Sequence, residues 1–234
     1  MELGSSHPTG GVPQVSPDYP ADFHRSLAGG ARRSAEVIVP LVQRLVAAES
    51  VVDVGCGVGS WLSVFRECGA RRILGIDAGL DADELVIPVD QFLNRDVSEP
   101  LRLSETFDLA ISLEVAEHLP ATNADTLVSS LVQLAPAVLF SAAIPFQGGY
   151  NHLNEQWPEY WVERFQRHGL AVIDAIRKEI WLDERVEWWY AQNTLLFATR
   201  EALEHHPSLR FELDRTEPRR LALVHPRNYA RCWS

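Results

Sequence analysis

The sequence predicts an α/β fold in which a doubly wound, mostly parallel sheet of seven strands is covered by helices on both faces. Short, very apolar runs alternate with segments whose apolar residues recur at helical spacing. The last two apolar runs follow one another without an obvious helix between them, which predicts an antiparallel pair at one edge. The length of 234 residues suits one large domain, or one domain with an extension.

The elements follow in order along the chain. Residues 1–20, rich in Gly, Ser and Pro, are predicted to form a flexible tail, and the main domain to span residues 21–200. Helical spacing runs from residue 23 to 48, with Pro40 expected to kink or divide it. The predicted strands are 51–54, 72–76, 85–93, 107–113, 137–144, 172–180 and 194–199, and the predicted helices between them are 61–68, 123–134 and 159–168. Residues 201–234 are charged and lack this alternation, so we expect a C-terminal extension.

Composition excludes several classes of protein. The 21 basic and 32 acidic residues give a net charge of −11, which disfavours nucleic acid as a partner. No stretch reaches the ~20 apolar residues of a membrane helix. Three cysteines are too few for a disulfide scaffold, and no secretion pattern is seen, so we expect a cytoplasmic protein that does not contact membranes. The sequence leaves a homo-oligomer open.

A glycine loop follows the first predicted strand. Gly55, Gly57 and Gly59 alternate there, so the backbone can turn sharply and approach a ligand closely. Asp53, just before the loop, would repel a pyrophosphate but would attract the ammonium and sulfonium groups of S-adenosylmethionine. Asp77 ends the next strand, where a carboxylate can accept both ribose hydroxyls. Asp96 ends the third and could reach the adenine amine.

The whole arrangement resembles class I S-adenosylmethionine-dependent methyltransferases. Residues 51–59 are similar to the first motif of that family, and Asp77, residues 95–97 and residues 107–112 match its later motifs in order. The resemblance implies a Rossmann-like methyltransferase fold whose last strand is antiparallel. It also implies S-adenosylmethionine as the cofactor. The residues that would contact the cofactor are Asp53, Gly55, Gly57, Gly59, Asp77, Asp96, Val97 and Leu113.

A cluster of polar residues begins where the fourth predicted strand ends. If this segment is helical, Glu114, Glu117 and His118 share one face, because they are three and four residues apart. Two carboxylates and an imidazole can hold a hard divalent metal such as Mg or Mn. The alternative is that they only cap a helix or position the cofactor. His152, in the polar and aromatic segment 145–158 after the fifth strand, could supply a fourth ligand.

The same cluster resembles a motif of particular methyltransferases. Small-RNA 2′-O-methyltransferases and ubiquinone-pathway O-methyltransferases use a similar Glu-x-x-Glu-His motif to hold a divalent ion. A closer resemblance is to sugar O-methyltransferases of antibiotic pathways such as that of calicheamicin, through residues 114–161 and 187–196. It implies a small-molecule acceptor, a deoxysugar or sugar nucleotide of the TDP-rhamnose type.

The chemistry of a sugar hydroxyl fits a metal and a base. A divalent ion lowers the pKa of a bound hydroxyl, and an imidazole can then take the proton. We therefore predict Glu117, His118 and His152 as catalytic residues, without deciding which histidine is ligand and which is base. Asn154, Gln156, Trp157 and Gln192 are predicted to contact the acceptor. Two alternatives are a 2′-O-methyltransferase of RNA and a non-catalytic module that binds the cofactor.

Overall fold

A seven-stranded sheet forms the centre of the part of the chain that the structure describes. The computed structural model describes residues 21–231, with side chains from residue 29 onward. The strands are β1 Ser50–Val54, β2 Arg72–Asp77, β3 Phe92–Asn94, β4 Leu109–Leu113, β5 Ala137–Ser141, β6 Ala171–Ile173 and β7 Leu195–Ala198. Their order is β3-β2-β1-β4-β5-β7-β6, and β7 alone of these runs antiparallel to its neighbours β5 and β6. The predicted fold class is confirmed, whereas the predicted tail lies outside the described residues.

Helices cover both faces of this sheet. They are α1 Ala21–Val46, α2 Ser60–Glu67, α3 Ala124–Leu134, α4 Pro158–Arg167, α5 Arg177–Ile180, α6 Trp188–Asn193, α7 Arg200–His205, α8 Pro207–Asp214 and α9 Pro226–Arg231. Short 3₁₀ turns lie at Val89–Gln91, Ala116–His118, Ala121–Asn123 and Pro218–Arg220. Among the described residues, no helix is both long enough and apolar enough to cross a membrane.

The sheet divides the hydrophobic core into two layers, and strand β1 contributes side chains to both. Val51 packs in the layer shared with α1 and α2, whereas Val52 and Val54 pack in the layer shared with α3 and α4. Successive residues of a strand point to opposite faces, so one fully buried strand supplies both layers. This explains why the strands are almost continuously apolar rather than alternating.

Three predicted elements differ in the structure. α1 continues through Pro40, because the buried side chains of Ile38, Val39 and Val42 on either side fasten both halves to the core. The strand predicted over 172–180 ends at Ile173, and its second half is the helix α5. The segment at 85–89 is not a strand, and its Ile87 packs against the glycine loop instead.

The C-terminal segment packs onto the main domain. α8 contacts both α1 and β6, and Leu209 of α8 and Leu221 are buried in the two core layers. These helices are only six to eight residues long, which is too short for a clear helical periodicity in the sequence. Whether residues 201–234 form a separate extension stays a prediction.

The topology brings three loops to one edge of the sheet. β1 lies between β2 and β4, so the strand order reverses at this point. In such sheets ligands bind beyond the carboxyl ends of the strands, at the reversal. The glycine loop follows β1, Glu114 follows β4, and the segment from Pro145 comes soon after β5.

Candidate functional site

The glycine loop is shaped by positions where a side chain would not fit. Gly55 has φ +82°, and a Cβ there would lie 2.4 Å from a methyl carbon of Val115. Gly59 has φ +89°, and its Cβ would meet Ile87 at 2.8 Å. Gly57 also has positive φ, but the space beside it is open within 4 Å. The loop is therefore pressed against protein at both ends and open at its middle, where a ligand can approach the backbone.

Two acidic side chains stand beside this loop. Asp53 is buried, and burial, followed by the negative charge of Asp77, raises its pKa well above the ordinary range. The carboxylate of Asp77 accepts hydrogen bonds of 2.7 Å from the backbone N–H groups of Gly57 and Ala78. A cation between the two aspartates would offset their repulsion, which suits a ligand carrying an ammonium or sulfonium group.

The remaining predicted cofactor residues lie at the ends of the neighbouring strands. Asp96 follows β3, is exposed, and accepts a 2.8 Å hydrogen bond from the Ser98 N–H. Val97 is half-buried against the core, and Leu113 ends β4 in a buried position. All three belong to the same edge of the sheet as the glycine loop, and their contact with a cofactor stays a prediction.

Glu114 differs from its predicted role. Its backbone has φ +55°, so the segment is not a continuous helix, and a 3₁₀ turn begins only at Ala116. The Glu114 carboxylate accepts hydrogen bonds from Asn193 Nδ2 and Gln147 Nε2, each at 3.0 Å. Burial raises its pKa. Glu114 is not in the group of ligand atoms that the other three predicted metal residues form within 4.8 Å, so its part in a metal site stays a prediction.

Glu117, His118 and His152 do come together, and we call them the triad. One ligand atom from each lies within 4.8 Å of the other two. The two imidazole rings meet edge to face with centroids 5.0 Å apart. The Glu117 carbonyl accepts hydrogen bonds from the N–H groups of Leu153 and Asn154, at 2.7 and 3.0 Å, which fasten the His152 loop to the 3₁₀ turn.

The electrostatics of the triad favour a bound cation. Both carboxylate oxygens of Glu117 and Nδ1 of His118 are buried without a hydrogen-bond partner. Burial, followed by the charge of Glu114, raises the pKa of Glu117 well above its ordinary range. Burial and the neighbouring His152 lower the pKa of His118. A divalent ion would stabilise the ionised carboxylate and accept neutral imidazole as a ligand, so the donor set fits a metal.

His152 forms a hydrogen bond with Glu155, a residue that was not predicted to belong to the site. Its Nδ1 lies 2.8 Å from Glu155 Oε1, and the Glu155 carboxylate also accepts hydrogen bonds from the N–H groups of Phe146 and Gly148. Glu155 thus orients the histidine and fixes the loop at once. Its position three residues after His152 was the available signal.

The predicted acceptor residues occupy different environments. Trp157 is partly exposed, whereas Asn154 is buried and accepts a 2.9 Å hydrogen bond from Gln156 Nε2. Gln192 does not fit direct contact with the acceptor. It is buried, and its amide donates to Gln147 and Asn193 and accepts from the backbone of His225 and the side chain of Asn228. Its hydrogen-bonding capacity is thereby filled, and it supports the two amides that hold Glu114.

Comparisons with known proteins identify the family of this chain. The methyltransferase domain family matches residues 27–179. Over 190 residues, 77% of this chain and 53% of the relative, the sequence is 28% identical to a ribosomal protein L11 methyltransferase of Geotalea daltonii. The chain therefore spans about half the length of that curated relative.

Solved structures share the fold. A sugar N-methyltransferase from Streptoalloteichus sp. ATCC 53650 superposes with a TM-score of 0.57 at 14% identity, covering 86% of this chain and 99% of that one. A magnesium protoporphyrin IX methyltransferase from Synechocystis PCC 6803, solved with bound S-adenosylhomocysteine, gives a TM-score of 0.53 at 19% identity, covering 81% and 90%. At these identities the likeness concerns the fold, and the acceptor stays a prediction.

Proposed function

This chain belongs to the methyltransferase domain family, and from that premise we propose that it is an S-adenosylmethionine-dependent O-methyltransferase acting on a sugar hydroxyl. The carrying observation is the triad: a buried carboxylate with no hydrogen-bond partner, within 4.8 Å of two imidazoles, at the ligand edge of the sheet. The sugar is supported by the resemblance of residues 114–161 and 187–196 to sugar O-methyltransferases, and a deoxysugar is the acceptor we expect.

The glycine loop and two aspartates would hold the cofactor. The open side of Gly57 lets the cofactor approach the backbone, and Asp77 beside it offers a carboxylate to the ribose hydroxyls. Asp53 faces the cationic methionine portion, because a buried carboxylate with a raised pKa gains most from a nearby positive charge. Asp96 would accept a hydrogen bond from the adenine amine.

Glu117 and His118 would hold a divalent ion. Glu117 supplies a fully buried carboxylate beside the two imidazoles, and burial favours neutral His118, as a metal ligand must be. When bound, the ion would lower the pKa of the sugar hydroxyl and align it with the methyl group. A vicinal diol suits such a site because two neighbouring oxygens can coordinate together.

His152 would act as the general base. Glu155 would accept a hydrogen bond from Nδ1–H of His152, which leaves Nε2 as the basic nitrogen and fixes the orientation of the ring. The proton of the acceptor hydroxyl would pass to Nε2 as its oxygen attacks the methyl carbon, and S-adenosylhomocysteine would leave. The Glu114 carboxyl group lies beside this pair, where hydrogen bonds from Asn193 and Gln147 fix its position.

A labelled-methyl assay with separate acceptors tests this function. The purified chain is given methyl-labelled S-adenosylmethionine with rhamnosides, a nucleotide sugar, an RNA oligonucleotide or ribosomal protein L11. We expect label on a sugar hydroxyl. Preferential labelling of the RNA or of L11 would replace the proposal with that activity, and cofactor binding without any product would indicate a non-catalytic module.

A further inference from the structure

The loop between β5 and α4, which carries His152 of the triad, also exposes four large apolar side chains, and we call them the acceptor rim. They are Phe146, Tyr150, Leu153 and Trp157, with exposed fractions of 84%, 49%, 64% and 40%. Exposed apolar groups concentrated on one loop that also carries a candidate site residue, rather than scattered singly, are typical of a ligand-binding surface.

The loop is built to keep these side chains outward. Phe146 has φ +68° and Asn151 has φ +54°, conformations that residues other than glycine rarely adopt. Near the start of the loop, two backbone N–H groups donate hydrogen bonds to the Glu155 carboxylate. Near its end, the Leu153 N–H donates a hydrogen bond to the backbone carbonyl of Glu117. The backbone is fastened to the triad while the apolar side chains remain at the surface.

The charges around the rim disfavour a phosphorylated ligand. Residues 103–163, which include β4, β5 and both loops after them, contain no Lys or Arg. On the C-terminal side of this stretch the next cation is Arg164, which is paired with Asp125. Glu114, Glu117 and Glu155 all lie within the stretch, so it offers a diphosphate three carboxyl groups and no cationic side chain.

We propose that the acceptor rim binds the apolar scaffold of a finished glycoside, so that the acceptor is an uncharged sugar on an apolar aglycone and not a nucleoside diphosphate sugar. The inference rests on the proposed sugar O-methylation and specifies the form in which the sugar arrives. A glycosyl-transfer reaction must then precede methylation, because it attaches the sugar to its aglycone and releases the nucleoside diphosphate.

Binding of three related sugars tests the proposal independently of turnover. The full chain, saturated with S-adenosylhomocysteine, is titrated with p-nitrophenyl α-L-rhamnoside, methyl α-L-rhamnoside and TDP-L-rhamnose. We expect the aryl glycoside to bind about tenfold more tightly than the methyl glycoside, and TDP-rhamnose to bind no more tightly than the methyl glycoside. Tightest binding of TDP-rhamnose, or no binding of any of the three, would overturn the proposal.

A matched pair of variants assigns the difference to the rim. Leu153→Ser should weaken the aryl glycoside about fivefold and leave the methyl glycoside unchanged, because only the aryl group reaches the rim. Leu182→Ser, at an 84% exposed leucine on another loop, should change neither. Equal affinity of the two variants for the aryl glycoside would contradict the proposal that the rim binds the apolar aglycone. If the aryl glycoside binds in a rim-dependent way but no methyl group is transferred, the proposed O-methylation is refuted and the proposed binding role of the rim is retained.

Discussion

Replacing Glu117 with glutamine should stabilise the metal-free protein while abolishing its activity. Glu117 is fully buried and both of its oxygens lack hydrogen-bond partners. Burial therefore raises its pKa, so the folded chain holds the carboxyl proton more tightly than the unfolded chain does. The free energy of unfolding must fall as pH rises from the ordinary carboxyl range through this raised pKa. Glutamine keeps the shape and removes the charge.

The expected gain in unfolding free energy follows from the missing hydrogen bonds to the Glu117 carboxylate. Leaving a buried polar group unpaired costs about 1–3 kcal/mol, and more when the group is charged. The amide of glutamine is also buried, but a neutral group costs less. We expect Glu117→Gln to gain about 1–3 kcal/mol at pH 8, which for a chain of this size is about 2–12 °C in melting temperature. The gain should vanish at about pH 3, well below the ordinary carboxyl range, where the wild-type carboxyl is protonated in both states.

Thermal unfolding in the presence of chelator is the assay, followed by addition of Mg or Mn. The ion should raise the melting temperature of the wild type and not of Glu117→Gln, since only the folded carboxylate binds it. Glu155→Gln is the matched control: its carboxylate accepts three hydrogen bonds, so this variant should be less stable. A lower melting temperature for Glu117→Gln as well would refute the reasoning about the unpaired charge.

Three further predictions concern the cofactor, the loop and the two histidines. Asp77→Ala should weaken S-adenosylmethionine binding by about 2–3 kcal/mol and Asp77→Asn by less, measured by calorimetry; unchanged affinity would contradict the ribose assignment. Gly55→Ala should cost about 2–4 kcal/mol in chemical denaturation, because it adds a clash to the strain of positive φ, whereas Gly69→Ala, with positive φ but open space, should cost only about 1 kcal/mol. His118→Ala should lose metal binding, whereas His152→Ala should keep it and lose turnover; equal metal affinity in both variants would exclude the division of roles.

The sheet was predictable because its signals are local. Val51, Val52 and Val54 form a short apolar run, and buried parallel strands need little more. The continuity of α1 through Pro40 was not predictable in this way. Pro40 removes one hydrogen bond, and only the packing of distant residues decides whether the helix survives that loss.

The proximity of the triad residues was predictable because they follow strand ends. Glu117 and His118 are adjacent after β4, and His152 follows β5, so the topology brings them together. Contacts with residues far along the chain were not predictable. The buried position of Gln192 depends on His225 and Asn228, more than thirty residues away, and no spacing reveals such a contact. The positive φ of Glu114 was likewise not visible in the spacing, which predicted a helix there.

Removal and return of the divalent ion show whether methyl transfer depends on a metal at the triad. The full chain is treated with chelator, and methyl transfer to the aryl rhamnoside is measured before and after adding Mg or Mn, with cofactor affinity followed by calorimetry. The account predicts that turnover disappears, that cofactor affinity stays nearly unchanged, and that either ion restores turnover in the wild type but not in Glu117→Gln. Undiminished turnover in the chelated protein would contradict metal assistance and leave His152 as the base acting alone.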